Sequence, residues 1–235
     1  MRLYIIRHAS PDYDNDCLTA DGRREAAALA DRLAGEDLTD LFCSPLGRAQ
    51  ETMGYTAERL GLTGAVEPWL EELTGVRIPD PHLERPPHVM DISGVMVRQM
   101  ARLPAHDDWH TFPPLDDSVI RERVEIIRAG SDAFMARLGY APENGLYRLV
   151  APNRRRVAVF CHNGSGLAWL AHLLAVPVPL IWAGFYLHPA SVTTVLLDER
   201  HPEYAAPRCL GVGETGHLHQ AGLMPRPVGL KANYD

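Results

Sequence analysis

The chain is poor in the features that mark secreted, membrane-bound or nucleic-acid-binding proteins. Only four cysteines occur in 235 residues, Cys17, Cys43, Cys161 and Cys209, and no two form a Cys-x-x-Cys pair. That scatter indicates neither a zinc cage nor a disulfide framework, and reduced thiols are expected. No apolar run approaches the length of a membrane span. The apolar stretch after Arg2 is short and broken by Arg7, which does not fit a secretory signal, so a cytoplasmic protein is expected. An excess of positive charge is also missing. The formal net charge of -7 argues against general nucleic-acid binding, which needs a basic face to neutralise backbone phosphates. Neither a membrane nor a nucleic acid is therefore expected as a partner. The 46% hydrophobic content suffices for one α/β domain, 1–235, with an insertion at about 77–115.

What is present is a set of cationic and imidazole groups placed after apolar runs. Leu3 to His8 reads as a strand that ends on Arg7-His8. Leu38 to Cys43 reads as a second strand, followed by Ser44-Pro45-Leu46-Gly47-Arg48 and a helix to Leu60 whose first turn holds Arg48. Arg155 to Cys161 reads as a third, ending at His162 and the turn Asn163-Gly164-Ser165-Gly166 before a helix from Leu167 to Leu174. In open α/β sheets the carboxyl ends of the strands form the ligand crevice, so Arg7, His8, Arg48 and His162 can meet there. Two arginines and two histidines around one small volume repel each other, and a doubly charged phosphoryl group is the natural ligand to neutralise them. The amides at the start of the Arg48 helix, and those of the turn at Asn163 and Gly164, are candidates to face the same phosphate.

These segments resemble the histidine phosphatase superfamily, also called phosphoglycerate mutase-like. Arg7-His8-Ala9 stands where that family has Arg-His-Gly, Leu18-Thr19-Ala20-Asp21-Gly22 matches its helix entry, and Ser44 through Thr52 matches its Ser-Pro-x-x-Arg-Ala-x-Glu-Thr motif. Gly213-Glu214-Thr215-Gly216-His217-Leu218 is similar to the family's closing His-Leu segment. The resemblance implies a three-layer α/β/α fold around a mostly parallel sheet, and a phosphorylated small-molecule substrate. It further implies that His8 is the nucleophile, while Arg7, Arg48 and protonated His162 hold the phosphoryl oxygens. No cofactor and no metal are expected, since the fixed cations would supply the charge that a metal otherwise provides. A reading of His8 and His162 as metal ligands lacks a carboxylate or cysteine cluster at ligand spacing.

Expelling an alkoxide from a phosphate ester also needs an acid. By the same resemblance Leu70-Glu71-Glu72-Leu73 carries it, with Glu72 as proton donor and Glu71 as runner-up. A carboxyl beside a phosphate and under a cap is expected to hold its proton more tightly than usual, a shift that nearby arginines would oppose. The expected activity is hydrolysis of phosphate monoesters through a phosphohistidine. A phosphoglycerate mutase and a phosphate-binding module without turnover are the rivals. The short passage from Pro11 to Leu18, without the long tryptophan- and asparagine-bearing segment of the mutases, favours transfer to water.

The remaining chain is read as framework. Asp21 to Ala34 forms a helix with Thr19 as N-cap and Ala26, Leu29, Ala30 and Leu33 as its buried stripe. Ser191 to Leu197 forms a strand beside the histidine strand. Asp116 to Leu138 is helical, its charged Arg121, Glu122, Arg123 and Glu125 a solvated face. The proline-dense stretch from Pro79 to His88 reads as loop. As part of a cap, His82, His88, Trp109 and His110 become candidate substrate contacts by resemblance, although surface and packing roles are favoured. Cys161 reads as a core residue, because neighbours on a strand face opposite sides.

Overall fold

The first strand sets the architecture, because both of its faces are apolar. In this computed structural model, which describes residues 1–230, Leu3 and Ile5 enter one core and Tyr4 and Ile6 another on the opposite side of the sheet. A strand buried on both faces must lie inside a layered α/β fold. In chain order the elements are β1 (Arg2–Arg7), β2 (Pro11–Asp12), β3 (Cys17–Leu18), α1 (Ala20–Ala34), β4 (Asp40–Cys43), α2 (Gly47–Leu60) and β5 (Gly64–Val66). Then come α3 (Gly94–Arg98), α4 (Ser118–Arg137), β6 (Tyr140–Glu143), β7 (Leu146–Leu149), β8 (Arg156–Cys161) and α5 (Asn163–Leu173). The described chain ends with α6 (Val178–Gly184), β9 (Val192–Asp198), β10 (Tyr204–Glu214) and α7 (Gly216–Gln220).

The main sheet has the order β5-β4-β8-β1-β9-β10-β7-β6. Its first four strands are parallel, and from β9 onward each pairing is antiparallel. α1 and α2 cover one face with Ala26, Leu29 and Leu33 against Tyr4, Ile6 and Phe160. α4 and α5 cover the other, where Phe134, Trp169 and Leu170 meet Leu3, Ile5 and Val159. α1 starts as its sequence demands, with Thr19 Oγ1 accepting the Gly22 amide at 3.0 Å.

Register matters most for function. Arg7 pairs with Cys161 across β1 and β8, and Cys43 with Phe160 across β4 and β8. The three strands therefore end nearly level. The next residues leave the sheet at one edge, where the His8 amide bonds the Cys161 carbonyl at 2.9 Å and the Ser44 amide bonds the Phe160 carbonyl at 2.8 Å.

Two expectations are corrected here. The strand at Val192–Asp198 runs antiparallel beside β1 and not beside β8, because β8 already has β1 on one side and β4 on the other. Asn163 to Gly166 is no turn but the first turn of α5, with extended His162 (φ -127) at its N-cap. Its glycines serve close approach. A Cβ on Gly164 would lie 2.7 Å from Glu72 Oε1, and one on Gly166 would lie 3.0 Å from Cys161 Sγ. Cys161 itself is fully buried, as expected.

Between Arg77 and Leu115 the chain has little regular structure, and the proline-rich part forms neither helix nor strand beyond one bridge between Arg77 and His88. Its second half nevertheless packs into the main core through Val89, Ile92, Val97, Trp109 and Leu115. On α4 the charged face is not wholly solvated. Arg123 is half-buried and donates to the carbonyl of Glu72 at 3.1 Å.

α4 also carries Gly130 where Trp69 crosses it, and a Cβ there would lie 2.2 Å from Trp69 Cγ. On an open helix Gly→Ala gains about 1 kcal/mol of propensity. Here the clash is with the base of a packed indole, so overpacking of about 1–3 kcal/mol should outweigh that gain. Gly130→Ala is expected to lower the thermal midpoint, and a variant that melts higher than the parent would show that Trp69 yields freely.

Candidate active site

The level strand ends bring the expected residues together. Arg7, His8, Arg48 and Glu72 line one cavity of about 240 Å³, with Asn163 beside them. His162 is fully buried next to His8, ring centroids 5.0 Å apart. Among the described residues no group of three His, Cys, Asp or Glu side chains is arranged to hold a metal ion.

The tautomer of His8 follows from its neighbours. Its Nδ1 lies 2.7 Å from the Ala9 carbonyl, which can only accept, so Nδ1 carries the proton. Nε2 then bears the lone pair and accepts from Arg48 Nε at 3.3 Å. Burial, with the charges of Arg7 and Arg48 added, pushes the pKa of His8 well below the usual histidine value. His8 is neutral. The same causes act on His162, where burial leads and His8, Arg48 and Arg7 follow, so this ring too is held neutral. That corrects the expectation of a protonated His162.

Each arginine is anchored from outside its own strand or helix. Arg7 Nη1 donates to Tyr186 Oη at 2.9 Å and to the Leu187 carbonyl at 2.6 Å, while Nη2 donates to the Val228 carbonyl at 2.9 Å. The Tyr186 hydroxyl also accepts the Val228 amide at 2.6 Å, so the chain near its end forms part of the cavity wall. Arg48 is clamped by Asp16, whose other carboxylate oxygen accepts the Gly47 amide at 2.6 Å. α2 lacks a side-chain cap of its own at Leu46, and Asp16 supplies one from the loop between β2 and β3. Gly47 is needed for this approach, since a Cβ would sit 2.4 Å from the Asp16 carbonyl.

The rest of the Ser44 to Thr52 motif is scaffolding. Ser44 Oγ lies 2.7 Å from His162 Nε2, Glu51 accepts the Leu18 amide at 2.7 Å, and Thr52 Oγ1 accepts the Ala9 amide at 3.1 Å. Sequence reasoning found Arg48 in this motif but gave no role to its neighbours, nor to Asp16, Tyr186 or Val228. Nothing local marks those three, because their partners are 32 to 221 positions away.

Glu72 and Glu71 are clearly separated. Glu71 is exposed, whereas Glu72 is buried and lines the cavity. Its Oε1 accepts the amides of Leu73 at 2.9 Å and Ser165 at 2.8 Å, and its Oε2 accepts that of Gly164 at 3.0 Å. The amides expected to face a phosphate thus hold this carboxyl instead, and Gly164 does not line the cavity. Asn163 Oδ1 is likewise taken, by the Leu187 amide at 3.0 Å. Of the four insertion candidates only His88 lines the cavity. His82 is exposed, Trp109 is buried in the core, and His110 packs edge-on against Trp109.

Two buried polar atoms of this cluster, Arg7 Nε and His162 Nδ1, find no hydrogen-bond partner among the described residues. Such orphans call for an explanation, and an anion drawn into the cavity provides one.

The depressed histidines have a consequence for stability. His8, His162 and His217, the last pushed down to about 4 chiefly by burial, take up protons more readily when the chain is unfolded. Their contribution is therefore complete above the unfolded value of about 6.5 and is lost as pH falls from there toward the folded values. Thermal melts at constant salt should show a lower midpoint at about pH 5 than at about pH 7.5. An unchanged or higher acid midpoint would contradict neutral burial.

Comparison with known proteins agrees with this geometry. Residues 3–81 match the family described as histidine phosphatase superfamily (branch 1). A probable phosphoglycerate mutase GpmB of Yersinia pestis is 30% identical over 82 residues, covering 31% of this chain and 38% of that protein. The chain thus spans well under half the length of the curated relatives it matches. Among solved structures, a mycobacterial glucosyl-3-phosphoglycerate phosphatase has a TM-score of 0.56 at 22% identity, over 91% of this chain and 99% of its own. Bacillus stearothermophilus YhfR has a TM-score of 0.60 at 19% identity, over 92% and 98%. A protein titled mycobacterial hydrolase 1 has a TM-score of 0.57 at 25% identity, over 90% and 97%. The motif-bearing segment 3–81 thus matches the histidine phosphatase superfamily (branch 1), and the fold along nearly the whole chain is the one these solved structures share.

Proposed function

We propose that the protein is a phosphatase that hydrolyses phosphate monoesters through a phosphohistidine on His8. The observation that carries this reading is the pairing of a neutral histidine, its Nε2 lone pair on Arg48 and its ring in the field of Arg7, with the unpartnered Arg7 Nε and His162 Nδ1. A phosphoryl dianion satisfies these donors and offsets the charge of the arginines.

In the first step Nε2 of His8 attacks phosphorus in line, and the bond to the ester oxygen breaks as Glu72 delivers a proton to it. The 3.3 Å contact from Arg48 Nε opens as that guanidinium turns to the phosphoryl oxygens. Arg7 and Arg48 stabilise the charge that spreads over the equatorial oxygens. When the Ser44 hydroxyl donates to His162 Nε2, the His162 proton sits on Nδ1 as a neutral donor to the same oxygens. Water then attacks phosphorus, Glu72 takes its proton, and His8 leaves. Glu72 Oε2 suits this exchange, since it accepts one amide where Oε1 accepts two. Arg123 and the start of α5 are positioning groups for that carboxyl.

The segment 77–115 is read as a cap, on the ground that His88, Met90 and Asp91 stand in the cavity wall. Hydrolysis is preferred to mutase transfer because Pro11 to Leu18 is short, although the curated relatives carry a mutase name. The four free cysteines go with a reducing, cytoplasmic setting.

His8→Ala should abolish hydrolysis of both an alkyl phosphate and p-nitrophenyl phosphate, and should leave no acid-labile phosphoenzyme after rapid quenching. Wild-type rates in that variant would remove His8 from the mechanism. Glu72→Gln should slow the alkyl ester roughly 100-fold or more and the nitrophenyl ester far less, because a good leaving group needs little protonation. Glu71→Gln should lose little on either ester, and the reverse ranking would transfer the acid role to Glu71.

A further inference from the structure

The wall above the catalytic groups bears on the alcohol part of the substrate. Aromatic residues make up 7% of the chain, yet Tyr13, Trp182, Phe185 and Tyr186 are four of the sixteen residues lining the cavity. Two of these have structural employment. Tyr186 ties Arg7 to Val228, and Trp182 is buried with its Nε1 donating to the Gly164 carbonyl at 3.1 Å. Tyr13 lies beneath the Arg48 guanidinium, 5.4 Å from ring centroid to Cζ, and remains 56% exposed.

Phe185 has no such employment. It follows the last residue of α6, and only its backbone is tied down, by a 2.9 Å bond to the Ile181 carbonyl. Its ring is 44% exposed and has no aromatic or cationic partner among the described residues. Met90, Val228 and Leu230 add to the apolar lining, and beyond the phosphoryl-binding groups the polar side chains are Thr74, His88, Asp91 and Asn163, the last already bonded to the Leu187 amide. A polyol would need hydrogen-bonding groups around its whole perimeter, whereas rings and aliphatic side chains outnumber polar ones in this part of the lining. A ring laid against exposed aromatics is removed from water and stacks favourably.

We infer that the cavity takes a phosphate monoester whose alcohol carries a planar apolar ring, with Phe185 as the residue that selects it. This rests on the phosphatase reading of the same site. The phosphoryl group lies on Arg7 and Arg48 at the floor, and the ring lies at the mouth.

Non-hydrolysable phosphonates separate the two claims, because their binding needs no turnover. Calorimetric titration of the full chain with 2-phenylethylphosphonate and with 2,3-dihydroxypropylphosphonate should show the phenyl compound binding at least about tenfold more tightly. In Phe185→Ala that ratio should fall about tenfold, while Phe185→Tyr should keep most of it. Equal binding of both compounds by the parent, or an unchanged ratio in Phe185→Ala, overturns the inference and leaves the phosphoryl site standing. Binding of neither compound overturns the phosphoryl site itself, and this inference with it.

Discussion

The site depends on one register, the pairing of Arg7 with Cys161 across two parallel strands whose neighbour β4 stops at the same level. A slip of one residue in any of the three would turn its terminal side chain to the other face of the sheet. The register is fixed by the alternation that splits Leu3 and Ile5 from Tyr4 and Ile6, since a slip would bury the wrong set on both sides. Packing of two cores thus supplies the placement on which the chemistry relies.

The second constraint is electrostatic. Two arginines are held close together in a buried setting, and the fold tolerates them by tying each to acceptors outside its own element, Asp16 for Arg48 and the Leu187 and Val228 carbonyls for Arg7. The histidines between them stay uncharged. An imidazole that is neutral and already in one tautomer needs no proton removed before it acts. The cations that depress its pKa are the groups that would bind the phosphoryl oxygens, so in the proposed reaction one arrangement would both prepare the imidazole and recruit its target.

Much of this was legible in the sequence because strand ends are local. Apolar runs ending in Arg7-His8, Cys43-Ser44 and Cys161-His162 located the three sheet termini, and Thr19 marked the start of α1 as it does in the fold. Glu72 was chosen over Glu71 by resemblance, and burial separates them. The first turn of α5 resembles a loop in sequence because glycine favours turns, whereas in the fold Gly164 and Gly166 let Glu72 and Cys161 approach. The hairpin between β6 and β7 carries its own local signal, Asn144-Gly145, and both of these residues have positive φ angles in the fold. Asp16, Arg123, Tyr186 and Val228 had no local signal, because their roles exist only once distant segments have met.

The strand order carries a consequence for how the protein comes into being. β1 and β4 lie early in the chain but are neighbours only through β8, which begins at Arg156. During synthesis the motif-rich first third therefore waits, its strands without their central partner, until more than half of the polypeptide has been made. Insertion of that late strand is the step that joins the two early ones and brings His8 level with Arg48. Until residue 161 has emerged the three strand ends cannot be level, so the cavity is among the last features of the fold to form.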